Sequence, residues 1–596
     1  MNVSEIPPAQ AGDLRRLKLW AWFSELVRPN ELQVNLFWAG IIGFLGAVLS
    51  VGFRQLTQVV HWLFTRSDGG YVETFAHLIW WQRLLVPALG GLLAGLALYF
   101  GTRLKAGKTS ADYMEAIVLG DGVLSFRQSL VKCLSALLSI ASGASIGREG
   151  PIVQLAAMSG SLVGRLRSMS AVRLRLLVAC GAAAGIASAY NAPIAGALFV
   201  SEIVLRSMSM ESFGPLVFSS VIATLTVRQF LGGNPLYEIA IPAVRLNSNW
   251  EMLLYLLLGL LAGLVAPLFL WSLRSGERLF ARVPIPGFLR LALGGFTVGL
   301  LAIWHPEVCG NGYSVVNHIL HGGYLWPALL AILLCKWLAT ATSFGSGAVG
   351  GVFTPTLFVG AGGGYLFAIA AQSFWPGAPL VPNAFTLVGM GALLAGTTHA
   401  PIMAIIMLFE LTLDYQIILP LMLACVVAHY VSLAFEPKSI YAESLRRKGA
   451  GQFQLDALRV ESLMNRTVPS VSETAAFGDI VQHFLGSRYN YLYVLDGAGA
   501  FRGAISLHDI KNYLNDPHLS QIVIADDLVV EPFPRLHPES GLSEALNAFA
   551  SHDGDRLPVV ETGAAQRLLG SISKNDVLLA LAEQTRQDGS PHASSQ

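Results

Sequence analysis

The sequence predicts an all-α polytopic membrane domain built as an inverted repeat, followed by a smaller α/β tandem module. Three observations carry this expectation. Hydrophobic residues make up 53% of the chain and charged residues only 13%, a balance outside that of soluble globular domains. A ten-residue string occurs twice: residues 142–151 read SGASIGREGP and residues 346–355 read SGAVGGVFTP, with Ser, Gly, Ala, Gly and Pro in register. After about Leu445 the apolar segments shorten to strand length and charged residues return.

The N-terminal segment, 1–34, carries Arg15, Arg16, Lys18 and Arg28 ahead of the first apolar run, which favours a cytoplasmic N-terminus. No compact apolar core follows Met1, so a cleavable signal is not expected. In the membrane domain, 35–445, apolar runs recur at 36–51, 84–100, 176–200, 213–231, 252–273, 288–303, 325–339, 385–408 and 417–433. Several are shorter than the roughly 20 residues of a full span, or contain Gly and Pro. Tilted and re-entrant helices are therefore expected. Arg446, Arg447 and Lys448 open a linker at 446–454 and favour a cytoplasmic C-terminal side. The expected location is a cell membrane, inner or plasma, crossed many times.

Each doubled string has a matching partner downstream: Asn191-Ala192-Pro193-Ile194 runs on to Glu202, and His399-Ala400-Pro401-Ile402 runs on to Glu410. The 60 glycines could serve only close helix packing, but packing glycines need not recur in register with a proline. Gly-rich breaks at equivalent places in two apolar halves point to broken helices whose N-termini face an ion near the bilayer midplane. Irregular backbone at that depth must line a pathway or lie within protein. Positive helix ends select an anion.

The segment 455–585 carries its own repeat. YLYVL at 491–495 precedes GAISLHD at 503–509, and LPVV at 557–560 precedes GSISKND at 570–576. Each unit reads as strand, turn, strand and a helix opening with Ser and Asp three residues apart. The remaining 586–596 reads as a disordered tail. Cys133, Cys180, Cys309, Cys335 and Cys425 form an odd set without disulfide or metal spacing, so buried thiols are expected. A net charge of +1 gives no sign of a nucleic-acid partner, and no nucleophile–base or metal constellation supports an enzyme.

GREGP at 147–151, the G-x-F-x-P of 351–355 and Tyr441 just beyond the last apolar run together resemble the CLC chloride channels and transporters. The C-terminal repeat resembles a tandem pair of CBS domains, a frequent companion of that family. The resemblance implies a homodimer in the bilayer, with a separate pore for chloride and similar monovalent anions between two inverted halves of each subunit. It implies that the amides of Val352 and Phe353 face a central anion and those from Arg148 to Gly150 an outer one, with the Tyr441 hydroxyl donating a further hydrogen bond. It makes Glu149 the gate: its carboxylate competes with chloride for the outer amides and leaves when protonated or displaced. A carboxylate in the membrane otherwise calls for a partner, and adjacent Arg148 does not face it on a helix. The CBS resemblance implies an adenine nucleotide (ATP, ADP or AMP) held by Ser506, Asp509, Ser573 and Asp576. The same residues also fit plain helix capping.

Two departures matter. Proton-coupled members of the family carry a second Glu after the residue matching Glu202; here Ile203 occupies that position and cannot carry a proton. This favours a passive chloride channel over a proton-coupled antiporter, with a CBS-containing divalent-cation transporter a distant third. The family's first anion loop, G-S-G-I-P, is replaced by Gly107-Lys108-Thr109-Ser110-Ala111. Ungapped spacing puts Lys108 beside the central anion, whereas a shift of two residues puts Ser110 there.

Overall fold

The computed structural model describes residues 31–103, 110, 112–118, 120–233, 236–237, 250–375, 380–441, 458–486, 490–510, 522–530, 533–550, 554–563, 566–577 and 580. The chain divides into two compact units, 1–445 and 446–596.

The first unit is helical throughout its described residues: α1 (Glu31–Thr65), α2 (Tyr71–His77), α3 (Trp80–Arg103), α4 (Tyr113–Val118), α5 (Phe126–Ala141), α6 (Glu149–Leu166), α7 (Ala171–Tyr190), α8 (Pro193–Leu198), α9 (Met210–Leu231), α10 (Glu251–Arg282), α11 (Gly287–Trp304), α12 (Tyr313–Leu320), α13 (Trp326–Gly345), α14 (Phe353–Phe374), α15 (Pro382–Thr398), α16 (Pro401–Thr412) and α17 (Ile418–Phe435). Nine of these are long and apolar enough to cross a membrane, among the described residues. Their outer faces present large apolar side chains such as Phe37, Leu89, Leu253 and Leu334, as a lipid-facing surface requires.

The sequence reading of the spans is corrected at three places. The run 176–200 is two helices, broken at Asn191, whose φ of 59° is left-handed. The run 385–408 is likewise two, broken at His399 with φ of 57°. In both cases the chain resumes at a proline, whose missing N–H is no loss in a first turn. The span α14 was not among the expected runs. Its Gly, Thr and Pro residues dilute its hydropathy, because it is buried against other helices rather than against lipid.

The two halves match in backbone detail. Gly143 and Gly347 have φ of 98° and 96°, and Ala192 and Ala400 have φ of −125° and −129°. The halves also cap each other. Glu410 accepts from Ile194 N at 3.0 Å and Ala195 N at 2.8 Å, at the start of α8. Glu202 accepts from Ile402 N at 3.3 Å and Met403 N at 2.7 Å, at the start of α16. Each carboxylate thus satisfies the orphan amides of the equivalent helix in the other half. Lys336, fully buried on α13, donates from Nζ to the Val308 carbonyl at 2.8 Å and the Gly310 carbonyl at 2.7 Å, pinning the loop before α12. Of the cysteines, Cys133, Cys180, Cys309 and Cys425 are buried and Cys335 is half-buried.

The second unit contains β1 (Ser470–Ser472), α18 (Phe477–Gly486), β2 (Tyr491–Leu495), β3 (Phe501–Ser506), α19 (Leu507–Ile510), α20 (Ala525–Leu528), α21 (Leu542–Ala550), β4 (Arg556–Val560) and β5 (Leu568–Ser573). Strand β1 pairs parallel with β2, β2 antiparallel with β3, and β4 antiparallel with β5. The two hairpins share a register: Val494 faces Gly503 and Val559 faces Gly570, each at an irregularity of the ladder. Two apolar cores result, one around Leu492, Ile505 and Ile480, the other around Leu557, Ile572 and Leu542.

Candidate functional site

The doubled strings meet face to face. Gly147 N donates to the Gly351 carbonyl at 2.7 Å, and Gly351 N donates to the Gly147 carbonyl at 2.9 Å. This two-bond clamp joins the turns that precede α6 and α14, so the first-turn amides of both helices open on one region. Such amides have no intrahelical partner and carry the positive end of the helix dipole.

Glu149, the first residue of α6, lies at this junction and is 3% exposed. Thr354 Oγ1 donates to its Oε1. Thr354 in turn lies 3.2 Å from the Tyr190 hydroxyl and 3.4 Å from the Tyr313 hydroxyl; with its own proton given to Glu149, it is placed to accept from both. The other carboxylate oxygen, Oε2, is buried without a hydrogen-bond partner among the described residues. It rests over the clamp: a Cβ on Gly147 would lie 1.8 Å from it, and one on Gly351 2.6 Å. Glycine is needed at both positions for this approach.

Below the carboxylate is a cavity of about 200 Å³, bordered by Glu149, Gly150, Val352, Phe353, Tyr441 and Tyr113 among others. Tyr441 stands edge-on to Phe199, with ring centres 5.5 Å apart. Phe353 packs against Tyr190 at 5.0 Å. The cavity thus combines amide-bearing backbone, two tyrosines, Tyr113 and Tyr441, and apolar walls, which suits a small, weakly hydrated anion.

Five of the residues singled out from the sequence therefore surround one space: Glu149, Gly150, Val352, Phe353 and Tyr441. Arg148 caps α6, but its side chain turns away and lies over the Tyr313 ring at 5.6 Å. Ile203 is buried in the π-helical turn Phe199–Leu205. Ser110 pairs with Leu124 in an isolated bridge and its carbonyl accepts from Ser125 N at 3.0 Å. Among the described residues the cavity is bordered on this side by Asp112, Tyr113 and Met114, not by Ser110. Lys108 lies outside the described residues. In the second unit, Ser573 and Asp576 engage each other: Ser573 Oγ donates to Asp576 Oδ2 at 2.6 Å, and Asp576 N donates to Ser573 Oγ at 3.1 Å. This is helix-capping geometry. Ser506 ends β3; the Asp509 side chain lies outside the described residues.

Sequence reasoning missed Thr354, Tyr190, Tyr313 and Asp112. Thr354 had a signal, since it sits inside the second doubled string beside Phe353. The tyrosines come from distant helices and had none.

Comparison with known proteins places this arrangement. The family profile described as voltage gated chloride channel matches residues 90–433, and the CBS domain profile matches residues 460–516 and 525–583. The chain is 54% identical over 413 residues to the ClcB-like protein of Ralstonia nicotianae, covering 69% of this chain and 96% of that protein. It is 43% identical over 413 residues to the voltage-gated ClC-type chloride channel ClcB of Citrobacter koseri, covering 69% and 98%. Among solved structures, a slow cyanobacterial Cl⁻/H⁺ antiporter aligns with TM-score 0.62 at 26% identity, over 70% of this chain and 99% of the other. A eukaryotic CLC transporter aligns with TM-score 0.62 at 18% identity over 92% and 99%, a likeness of fold.

Proposed function

The chain belongs to the voltage-gated chloride channel (CLC) family, and from that premise we propose that it conducts chloride passively across a cell membrane, gated by Glu149. The observation that carries this reading is the position of the Glu149 carboxylate. It is a monovalent anion lying over the clamp where two helix N-termini converge, at the wall of the anion cavity. Chloride and carboxylate compete there for the same amides. Protonation removes the carboxylate's charge and its claim on the site, so external acid opens the path. The central anion is held by the amides of Val352 and Phe353 and by the Tyr441 hydroxyl. The working form is a homodimer with cytoplasmic termini. Reconstituted protein is expected to release chloride from loaded liposomes once a potassium ionophore removes the opposing voltage; retained chloride would overturn the reading.

A specific observation supports proton-coupled exchange as the second reading. Asp112 borders the same cavity as Glu149, so a second carboxyl stands near the anion although Ile203 cannot serve. Asp112 Oδ1 already accepts from Met114 N at 3.1 Å, which holds it as a fixed local cap and favours the passive reading.

The CBS pair is proposed to bind an adenine nucleotide through Ser506, Asp509, Ser573 and Asp576. Opening the Ser573–Asp576 cap would expose the groups a ribose needs. Equilibrium dialysis of the full chain against ATP, ADP and AMP is expected to give binding that Asp509→Ala with Asp576→Ala abolishes. No binding to the unsubstituted chain would leave these residues as caps alone.

A further inference from the structure

A second chamber lies beside the gate, on the far side of Arg148. It has a volume of about 350 Å³ and is bordered by Arg54, His61, Asp68, Tyr71, Arg148 and Asn311, among others. That is space for roughly ten waters at about 30 Å³ each, ample for a partly hydrated small anion. His61 is 5% exposed. Its Nδ1 lies 2.8 Å from the Ala141 carbonyl, which fixes the neutral ring with Nδ1–H donating and Nε2 carrying the lone pair. Nε2 has no partner among the described residues, although the ring borders the chamber.

We propose that this chamber is an entry site for monovalent anions outside the gate, loaded by the Arg54 and Arg148 guanidiniums and by a protonated His61. The inference rests on the anion-transport reading above. A neutral imidazole offers an anion only a lone pair; protonation turns Nε2 into a cationic N–H donor. A proton from the outer solution and an anion therefore favour each other's binding, reciprocally.

The groups facing His61 favour an anion in the chamber and, until one binds, oppose a charge on the imidazole, which is why proton and anion load together. On its own helix, α1, stands Arg54, and Arg66, just past the helix end, lies over the Trp62 ring at 4.7 Å. The following loop brings Asp68, an exposed rim residue. From α2 comes Tyr71, its ring 4.5 Å from the imidazole. From the turn before α6 comes Arg148; α5 supplies the Ala141 carbonyl, and Asn311, which is neutral, borders the far side. Arg228 of α9, which packs on α1, is engaged with Asn191 Oδ1 at 2.8 Å. Positive groups outnumber the single carboxylate on the chamber wall. The chamber also reads onto the gate: Arg148 lies over Tyr313, Tyr313 reaches Thr354, and Thr354 donates to Glu149.

The test uses the full chain in liposomes with Glu149→Ala, so that the gate's own titration is absent. The quantity read is the outer chloride concentration at half-maximal flux, at outer pH 5.5 and 8. Acid is expected to lower it on the order of 5- to 10-fold, His61→Gln to make it independent of pH, and Arg54→Gln to raise it at both. Equal values at the two pH values, or a pH dependence that survives His61→Gln, would overturn the proposal. Should His61→Gln not fold, anomalous diffraction from the unsubstituted chain crystallised in bromide decides the matter. A bromide within hydrogen-bond distance of His61 Nε2, stronger at pH 5.5 than at 8, supports the site, and its absence at both overturns it. That readout does not depend on transport, so a protein that moves no chloride, the failure of the function proposed above, is told apart from an empty chamber.

Discussion

At saturating chloride, Glu149→Ala is expected to conduct at least as fast as the unsubstituted protein, and at a rate that no longer changes with outer pH. The unsubstituted rate should rise as the outside is acidified, because protonation removes the charge proposed to close the path. The cause is the placement of the side chain. Glu149 is buried over the Gly147–Gly351 clamp, so on the proposed reading its charge and bulk stand where an anion must pass. Alanine removes both charge and bulk. Glu149→Gln keeps the bulk, removes the charge and should behave like the protonated side chain. Chloride efflux measured against outer pH checks all three forms. Matching pH profiles for Glu149→Ala and the unsubstituted protein would make Glu149 a structural residue.

Gly147→Ala is expected to produce much of the same change without touching the carboxylate. A methyl at Gly147 would lie 1.8 Å from Glu149 Oε2 and 2.6 Å from its carboxyl carbon, closer than atoms can pack. Gly147 is not among the residues with positive φ, so alanine fits the backbone and the clamp to Gly351 can persist. The carboxylate is what must move. The variant should therefore conduct with a weakened response to outer pH, and adding Glu149→Ala to it should change little more, since both act on one element. An unaltered pH profile in Gly147→Ala would mean that the side chain has another resting place of equal function.

The sequence and the structure agree where local chemistry repeats. The doubled string marked the two turns that meet, because Gly147 and Gly351 stand at equivalent places in it; the clamp itself was not read from the sequence, and glycine at these places leaves room for the Glu149 carboxylate. The paired Pro193 and Pro401 segments were legible as a repeat, but neither the helix starts at these prolines nor the capping of each other's helices by Glu202 and Glu410 was read from the sequence. That arrangement needs the two halves folded together. Hydropathy misjudged α14, whose neighbours are protein rather than lipid. It also ran α7 into α8 and α15 into α16, because a single left-handed residue, Asn191 or His399, breaks a helix without interrupting an apolar run. Thr354, Tyr190 and Tyr313 converge on Glu149 from separate helices, and no spacing encodes such convergence. His61 was likewise silent in the sequence, one imidazole in a long apolar helix. Its meaning comes from the Ala141 carbonyl that orients it and the chamber it borders.

Simultaneous recording of chloride and proton movement in liposomes tests the central claim most directly. With the Glu149 gate intact and Ile203 in place of a proton carrier, a chloride gradient should drive chloride alone, with no stoichiometric proton movement in the opposite direction. Uphill proton transport driven by chloride, and lost in Asp112→Asn, would contradict the passive channel and make Asp112 the inner proton carrier of an antiporter.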